Sequence, residues 1–382
     1  MNANTATYVG MDVHKATISF AVRYPDGTEA EGQTANNPTS VHRLLRQVGA
    51  KAPDGVLACY EAGATGFVLQ RQCESEGVVC DVIAPSLIPQ KAGDRVKTDK
   101  RDARKLLELF RAGLLTPVHV PTPGQEAARN IVRRLGAAKV AARRAQHELQ
   151  GLLLCLGVQV VGKRWTKAHR LELSRLKLQE PDNQVALEDG LLSLAQAEER
   201  VRLLEKHVLR LASSAELAPV VNVLQCFKGI ATLTAVRLAV ELPTPERFAS
   251  ARHLMSFVGL VCREDSSGAT RRRGSITKAG NITLRTALVE AAVHAVHGVT
   301  QESKPAARRR KGQPAWAVQL AKKAERRMHA RYWALTHAGK HHNVAVTAVA
   351  RELCGFIWAA MIRANQETRT VQIDAEGVVV NG

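Results

Sequence analysis

The sequence has no long hydrophobic run. No stretch of its 382 residues approaches about 18 consecutive apolar positions, so we expect no transmembrane helix and no membrane partner. Residues 1–7 are polar and lack the basic start and apolar run of a signal peptide, which predicts a cytoplasmic or nucleoid-associated location. Hydrophobic residues make up 45% and charged residues 23% of the chain, values that are typical of a globular protein with room for two domains.

Cysteine is scarce and shows no metal-binding spacing. There are seven cysteines, an odd number, and no two form a Cys-x-x-Cys pair. This argues against a disulfide framework and against a structural zinc site. We therefore expect reduced thiols, most of them buried.

Acidic residues are few compared with basic ones. Lys and Arg number 54, Asp and Glu number 35, and the net charge is +19. Such a charge favours a polyanionic partner, nucleic acid before a ribosome or an anionic membrane surface. Residues 1–120 contain 14 basic and 13 acidic residues, so the excess lies in residues 121–382. This division indicates that residues 1–120 carry out the chemistry and that residues 121–382 bind the phosphate backbone of the nucleic acid.

Residues 1–120 predict an α/β domain. Apolar residues between turn residues predict strands at 8–13, 17–24, 56–60 and 78–83, and the turn at 25–27 predicts a weaker strand near 28–34. Helical periodicity predicts helices at 39–49, 66–76 and 99–112. Three successive strands followed by alternating helices and strands are the order of a ribonuclease-H-like fold.

The middle of the chain, residues 121–219, predicts a helical region after a proline-rich linker. One heptad position holds Leu187, Leu194, Val201 and Val208, and a second holds Ala197, Leu204 and Leu211. The pattern fits a coiled coil that joins two copies of the chain, and it fits equally an amphipathic helix packed within its own domain. Both alternatives stay open at this point.

Residues 220–370 predict a mainly α-helical second domain, followed by a tail at 371–382. Residues 228–231 (Lys-Gly-Ile-Ala) predict a turn between two helices, which either offers backbone N–H groups to a phosphate or packs within the domain. Residues 261–280 are expected to form a loop between helices at 250–258 and 281–298. Residues 301–331 contain ten basic residues and two acidic ones, and Trp316, Tyr332 and Trp333 interleave with this basic region.

Four carboxylates predict a metal site in the first domain. Asp12 lies in the first strand and Glu61 directly follows the fourth, while Asp99 and Asp102 share one face of a helix. In a ribonuclease-H-like sheet the first and fourth strands are neighbours, so the four acids would converge and repel unless a cation lay between them. Oxygen ligands of this kind suit Mg²⁺ or Mn²⁺, and a pair of such ions can clamp a phosphodiester. Taken singly, each acid fits a solvated helix face or a turn as well.

Residues 259–285 combine hydroxyls, glycines and cations. Ser266 and Ser267 precede Gly268, and Arg263, Arg271, Arg272, Arg273, Lys278 and Arg285 surround them. Cations can neutralise the charge that builds on phosphorus during attack, but a serine needs activation to attack. On chemistry alone, the segment fits a loop that grips phosphate without a covalent step, and the two serines are equivalent.

The histidines give weaker signals. We expect His14 to be structural rather than a base, on the argument that adjacent strand residues face opposite sides. His341 and His342 have no metal-ligand partners at helical spacing and are expected to face solvent or nucleic acid.

Three segments carry a resemblance to a known family. Residues 8–15 (Tyr-Val-Gly-Met-Asp-Val-His-Lys), 61–66 (Glu-Ala-Gly-Ala-Thr-Gly) and 97–103 (Lys-Thr-Asp-Lys-Arg-Asp-Ala) resemble the DEDD transposases of insertion sequences related to the pilin-gene inverting recombinase Piv. The N-terminal domain of that family is similar to the Holliday-junction resolvase RuvC. The Ser-Gly pair and residues 276–281 and 284–285 resemble its C-terminal domain. One departure is Lys228-Gly229-Ile230-Ala231, where relatives usually have Pro-Gly-Ile-Gly.

The resemblance implies a site-specific DNA transposase of an insertion sequence. Asp12, Glu61, Asp99 and Asp102 would hold divalent metal, and Ser267, in the Ser-Gly register, would attack DNA to form a phosphoserine. The two halves would form a composite active site, within one chain or between subunits. The implied partners are donor DNA, target DNA, a structured guide RNA and further copies of the chain in a dimer or tetramer. The residues expected to bind nucleic acid are Arg263, Arg271, Arg272, Arg273, Lys278, Arg285, Arg308, Arg309 and Arg310.

Two rival functions remain open. A hydrolytic junction resolvase would use the four acids and water, with Ser267 limited to phosphate binding. A non-enzymatic nucleic-acid-binding protein would carry a decayed nuclease core, although intact acids at all four positions count against decay.

Overall fold

The chain forms two compact units that divide between Pro121 and Thr122. A computed structural model describes residues 5–89, 98–159, 162–267, 270–299 and 302–376. The first unit is a mixed α/β domain, and the second is mostly helical, as the sequence predicts.

Five strands of the first unit form one mixed sheet. The strands are β1 (Thr7–Val13), β2 (Thr17–Arg23), β3 (Glu29–Ala35), β4 (Val56–Glu61) and β5 (Val79–Ile83). Their order is β3-β2-β1-β4-β5, with β2 antiparallel to both β1 and β3 and β4 parallel to both β1 and β5. The predicted strands and helices of residues 1–120 are confirmed to within two residues at each boundary. The central strand β1 therefore lies beside β4, as the predicted acid cluster requires.

The sheet is covered on both faces. The helices are α1 (Pro38–Gly49), α2 (Val68–Ser75) and α3 (Asp99–Arg111). Because successive strand residues point to opposite faces, Val9 and Met11 of β1 join the core with α1 and α2, whereas Tyr8 joins the core with Ala103 and Leu107 of α3. The even-numbered residues of β1 thus face α3.

Gly10 lets α3 approach β1 closely. A Cβ atom at this position would overlap the backbone of Ala103 and Leu107 in α3. Thr98 caps the helix, and its side-chain oxygen accepts a hydrogen bond from the Arg101 amide. The first turn of α3 is therefore fixed against the end of β1.

The second unit contains ten α-helices and one hairpin in the part of the chain that the structure describes. The hairpin consists of β6 (Cys262–Ser267) and β7 (Thr270–Ile276). The helices are α4 (Pro123–Cys155), α5 (Lys167–Arg175), α6 (Pro181–Leu211), α7 (Ala218–Leu224), α8 (Thr232–Glu241), α9 (Ala251–Phe257), α10 (Ile282–Ala292), α11 (Lys304–Arg310), α12 (Ala315–His337) and α13 (His342–Glu376). Part of the segment expected to be a tail is thus helical, as far as Glu376.

The heptad residues of α6 pack against α4 of the same chain. Leu187 and Leu194 are buried with Leu149 of α4, and Val208 is buried with Val132 and Leu135 of α4. The capping box of Thr122 and Gln125 fixes the start of α4. Of the two alternatives that the heptads left open, packing within the domain is the one that the structure contains.

The largest core surrounds α13. Ala345, Val349 and Leu353 are fully buried in it, together with residues of α7, α8, α10 and α12. Among the described residues, α13 is the one helix long and apolar enough to cross a membrane, and half of its apolar window is buried inside the unit. Core helices have the same composition, and this burial places α13 among them.

Candidate active site and nucleic-acid interface

The carboxylates of Asp12 and Asp99 meet at the end of β1. Asp12 is the last but one residue of that strand and faces α3, and Asp99 is the first residue of α3. One donor atom each of Asp12, His14 and Asp99 lies within 4.8 Å of the others, and this group could hold a metal ion. The predicted convergence of β1 with the first turn of α3 is present in the structure.

His14 belongs to this group, contrary to the expectation that it faces away. Its Nε2 atom lies 3.3 Å from Oδ2 of Asp12 and 3.6 Å from Oδ1 of Asp99. His14 is two residues from Asp12, and side chains two apart along an extended segment share a face, so the argument from adjacent residues was wrong. The spacing Asp-x-His was the signal that could have identified it.

The electrostatics of Asp12 reflect the crowding of charge. Partial burial raises the pKa of Asp12, and the nearby carboxylates of Asp99 and Asp102 raise this pKa further, while His14 opposes both effects. A cation at this point would relieve the repulsion. The donor set, two carboxylate oxygens and an imidazole nitrogen, fits a divalent ion.

Glu61 and Asp102 stand slightly apart from the three donors. Neither joins the group at 4.8 Å in the described part of the chain. The parallel register pairs Met11 with Tyr60, so Glu61 at the end of β4 is the next neighbour of Asp12 across the strands. Asp102 is one turn along α3 from Asp99 and is near enough to shift the pKa of Asp12. All four predicted acids therefore lie at one end of β1 and β4.

Ser267 lies in a hairpin rather than in the loop expected for residues 261–280. It is the last residue of β6, it is exposed, and it pairs with Thr270 of β7. Asp265 pairs with Arg272, so these two residues share a hairpin face with Ser267 and Thr270. Polar strands of this kind have no apolar alternation, which is why the sequence pattern did not reveal them. Gly268 and residue 269 lie outside the described residues.

The segment after β7 is held by its surroundings. Arg285 donates hydrogen bonds to the carbonyls of Val258 (2.7 Å) and Ala279 (2.9 Å), so its guanidinium supports the backbone there. Lys278 is exposed and has a positive φ of 56°, a conformation that a non-glycine residue keeps only when its neighbours enforce it. The predicted phosphate-binding Lys278 is therefore presented on a fixed backbone, whereas Arg285 has a structural contact.

The predicted cluster Arg308, Arg309 and Arg310 splits in the structure. Arg308 is exposed, and Arg309 donates a hydrogen bond to the carbonyl of Gln225. Arg310 is buried, and its three nitrogens bind the carbonyl of Cys226 and the carboxylates of Glu302 and Glu325. The assignment of Arg310 to nucleic acid is therefore wrong, because its donors are already used inside the protein.

The turn at Lys228 and Gly229 packs within the unit. Gly229 has a φ of 80°, and a Cβ there would overlap the Ala291 carbonyl of α10. The Lys228 ammonium donates to the carbonyls of His297 (3.0 Å) and Gly298 (2.9 Å). This contact supports the packing alternative for the turn, since its lysine is directed at the protein itself.

Comparisons with known proteins match both units. A family model for the DEDD transposases of IS110 matches residues 9–156, and a model described as the transposase IS116/IS110/IS902 family matches residues 221–308. The "Transposase for insertion sequence element IS1533" of Leptospira borgpetersenii is 31% identical, over 85% of this chain and 95% of the relative. "Putative transposase y4qE" of Sinorhizobium fredii is 38% identical, over 94% of this chain and 90% of the relative.

These matches assign the enzyme class and the family. The α/β unit with its acid cluster and the helical unit with its serine hairpin are those of a DNA transposase. The chain belongs to the IS110/IS116 family of DEDD transposases.

Proposed function

We propose that the chain cuts and rejoins the DNA of its insertion sequence through a covalent phosphoserine at Ser267. The exposed position of Ser267 at the end of β6, with Arg272 on the same hairpin face, is the observation that carries this proposal. A nucleophile must reach a phosphorus atom of a bulky DNA duplex. A serine at the exposed end of a hairpin can make this approach, because it is accessible from solvent. A cation on the same face can neutralise charge as the phosphorus is attacked.

The first unit is proposed to be ribonuclease-H-like. Its strand order, with three antiparallel strands followed by two parallel ones, supports this assignment. In such a sheet the catalytic acids gather at the ends of the two central strands. The positions of Asp12 and Glu61 fit that arrangement.

A divalent cation, Mg²⁺ or Mn²⁺, is proposed to bind Asp12, Glu61, Asp99 and Asp102. The grouping of donor atoms from Asp12 and Asp99, and the raised pKa of Asp12, support this fit. When bound, the ion would supply positive charge to the oxygens of a phosphodiester. His14 contacts the carboxylates of Asp12 and Asp99 and would hold them in place.

The serine step conserves the phosphodiester energy. The Oγ atom of Ser267 attacks phosphorus and forms an Oγ–P bond, and the bond from phosphorus to the 3′-oxygen breaks. The serine proton leaves the hydroxyl, and the departing 3′-oxygen takes up a proton to become a free 3′-hydroxyl. Attack by a 3′-hydroxyl of the partner strand reverses these changes and frees Ser267, so no ATP is needed.

A suicide DNA substrate tests this mechanism. A nicked substrate from which the short fragment ending in the free 3′-hydroxyl dissociates after cleavage should trap the full chain as a covalent adduct on denaturing gels. Ser267→Ala should remove the adduct because Oγ is absent. Ser275→Ala, an exposed serine of β7 in the same hairpin, is the matched control and should keep it.

Three outcomes would overturn parts of the proposal. An adduct that persists in Ser267→Ala would exclude Ser267 as the nucleophile. Metal-dependent cleavage by Ser267→Ala without any adduct would favour the hydrolytic resolvase. Asp12→Ala should abolish cleavage, and cleavage that survives this change would remove the acid cluster from the mechanism.

Donor DNA, target DNA and a structured guide RNA are the proposed nucleic-acid partners, and the proposed location is the nucleoid. The net charge of +19, almost all of it in residues 121–382, supports binding to a large polyanion. Arg263, Arg272, Lys278 and Arg308 are exposed and available for phosphate contacts. The chain is further proposed to act as a dimer or tetramer.

A further inference from the structure

One face of α12 carries a line of polar and aromatic residues. Lys322, Arg326, Trp333 and His337 are spaced by four, seven and four residues, which places them on one side of a helix. The opposite side holds the buried residues Ala317, Ala321, Ala324 and Met328. The line therefore points to solvent, and we refer to these four residues as the Trp333 face.

Trp333 is exposed although tryptophans are usually well buried. Its exposed fraction is 38%, and it is the one aromatic ring among the large exposed apolar side chains of the described residues. Two imidazoles on the same helix border it, with ring centroids at 6.3 Å for His329 and 5.5 Å for His337. Tyr332 lies nearly perpendicular to the indole at 84°. These rings hold the indole in place at the surface.

Among the described residues, the cations of the Trp333 face have no acidic partner. Within the described part of the chain, Lys322 and Arg326 form no ion pair. Arg327 and Arg331, which lie off this face, both pair with Glu352 of α13. Positive charge on the face is therefore free for an anionic ligand, whereas the charges of Arg327 and Arg331 are already neutralised.

We propose that the Trp333 face binds an unpaired segment of nucleic acid, with one base stacked on Trp333 and the backbone phosphates on Lys322 and Arg326. Proteins bind single strands with exposed aromatic rings between cations. Every base has a flat ring that can stack on the aromatic side chain, and every phosphodiester linkage has a negative charge that a cation can bind. A duplex hides its bases in the helical stack and could use only the cations. The charge of the face disfavours an apolar protein partner.

Binding of short single strands by the full chain tests the proposal. Fluorescein-labelled oligo(dT) and oligo(U) of about 12 nucleotides would be titrated by anisotropy at several salt concentrations, beside a duplex of equal length. Trp333→Ala should weaken single-strand binding by about 5- to 150-fold and leave duplex binding unchanged. Arg326→Gln should instead lower the slope of log K against log salt by about 0.7. A preference for one oligonucleotide tells whether the unpaired segment is RNA or DNA.

Two matched variants separate stacking from instability. Trp333→Phe retains a flat ring and should keep most of the affinity, while Leu154→Ala removes an exposed apolar side chain of α4 and should have no effect. Oligonucleotides that carry 5-bromouracil should crosslink to Trp333 on irradiation. Unchanged single-strand affinity in Trp333→Ala, an equal loss for duplex, or a crosslink elsewhere would overturn the proposal. None of these results depends on the chemistry of Ser267.

Discussion

Glu241 is the buried charge that holds the start of α10 to α4 and α8. Its side chain is fully buried at the end of α8, and Arg133 binds both of its oxygens at 2.8 and 2.9 Å. The side-chain amide of Asn281, the N-cap of α10, donates to the same carboxylate at 2.7 Å. Because Asn281 follows the serine hairpin and Lys278, this carboxylate anchors the segment that carries the proposed phosphate contacts.

Glu241→Gln should lower the free energy of unfolding by about 1.5–3 kcal/mol, since it removes the buried charge that accepts both hydrogen bonds from Arg133, a residue whose own side chain is half exposed. Denaturant unfolding of the full chain measures this loss. Glu205→Gln is the control, because Glu205 pairs with Lys139 at the surface and should cost at most about 1 kcal/mol. Equal effects of the two changes would contradict the role of Glu241.

The pH dependence of stability is a second test of the role of Glu241. Burial alone would raise the pKa of Glu241, but the hydrogen bonds from Arg133 and Asn281 outweigh burial and lower it. A carboxyl with a lowered folded pKa adds stability above its unfolded pKa and loses it as pH falls through the folded value. Glu241→Gln should therefore show a smaller loss of stability in acid than the parent protein.

Elements with an apolar repeat, or with clear turn residues beside them, could be predicted from the sequence, whereas the polar hairpin of β6 and β7 could not. The strands of the first unit alternate around residues such as Val9 and Met11, and their boundaries were predicted closely. Strands β6 and β7 contain arginines and serines without alternation, and only their pairing makes them strands. His14 was not predicted as part of the site because it was treated as adjacent to Asp12, whereas it is two residues away and shares its face. The heptads of α6 indicate an apolar seam but contain no information about which helix fills it.

The outward face of α6 supports the proposed oligomer. Val185, Leu192 and Leu203 are more than half exposed and follow each other at spacings of seven and eleven residues, so they form one line. The seam of α6 is already occupied by α4. This exposed line is therefore the part of α6 that remains for contacts between copies of the chain.

Leu203→Glu should reduce the oligomer to smaller species, because a carboxylate would be buried without a partner in an apolar contact. Light scattering after size-exclusion chromatography measures the mass. Leu209→Glu changes an exposed leucine of α6 that lies off the line, and it should leave the mass unchanged. An unaltered mass in Leu203→Glu would exclude this face as the contact.

Charge is divided between the two units of the molecule. The α/β unit is nearly neutral and contains the acid cluster, whereas the helical unit contains the excess of basic residues. The carboxylates that a metal site needs lie in the unit without an excess of charge. The basic residues of the helical unit would supply affinity for nucleic-acid phosphates, which carry no sequence information. The proposed guide RNA would supply the selection of a target.

Purification of the chain from cells that contain its insertion sequence should yield one discrete bound RNA. The bound nucleic acid would be extracted and sequenced. A single abundant species is expected, because a guide binds through shape as well as charge. A random sample of host RNA would contradict guidance and leave electrostatics as the explanation.

Gly10 has a consequence for mutational surveys of this enzyme. Its missing side chain allows the backbone of α3 to lie against β1, and this contact sets the separation of Asp12 from Asp99. Any larger residue at position 10 would push α3 away from β1 and so increase the distance between Asp12 and Asp99. A survey of substitutions should therefore find Gly10 as intolerant of change as the four acids, although it has no group that could touch metal or DNA.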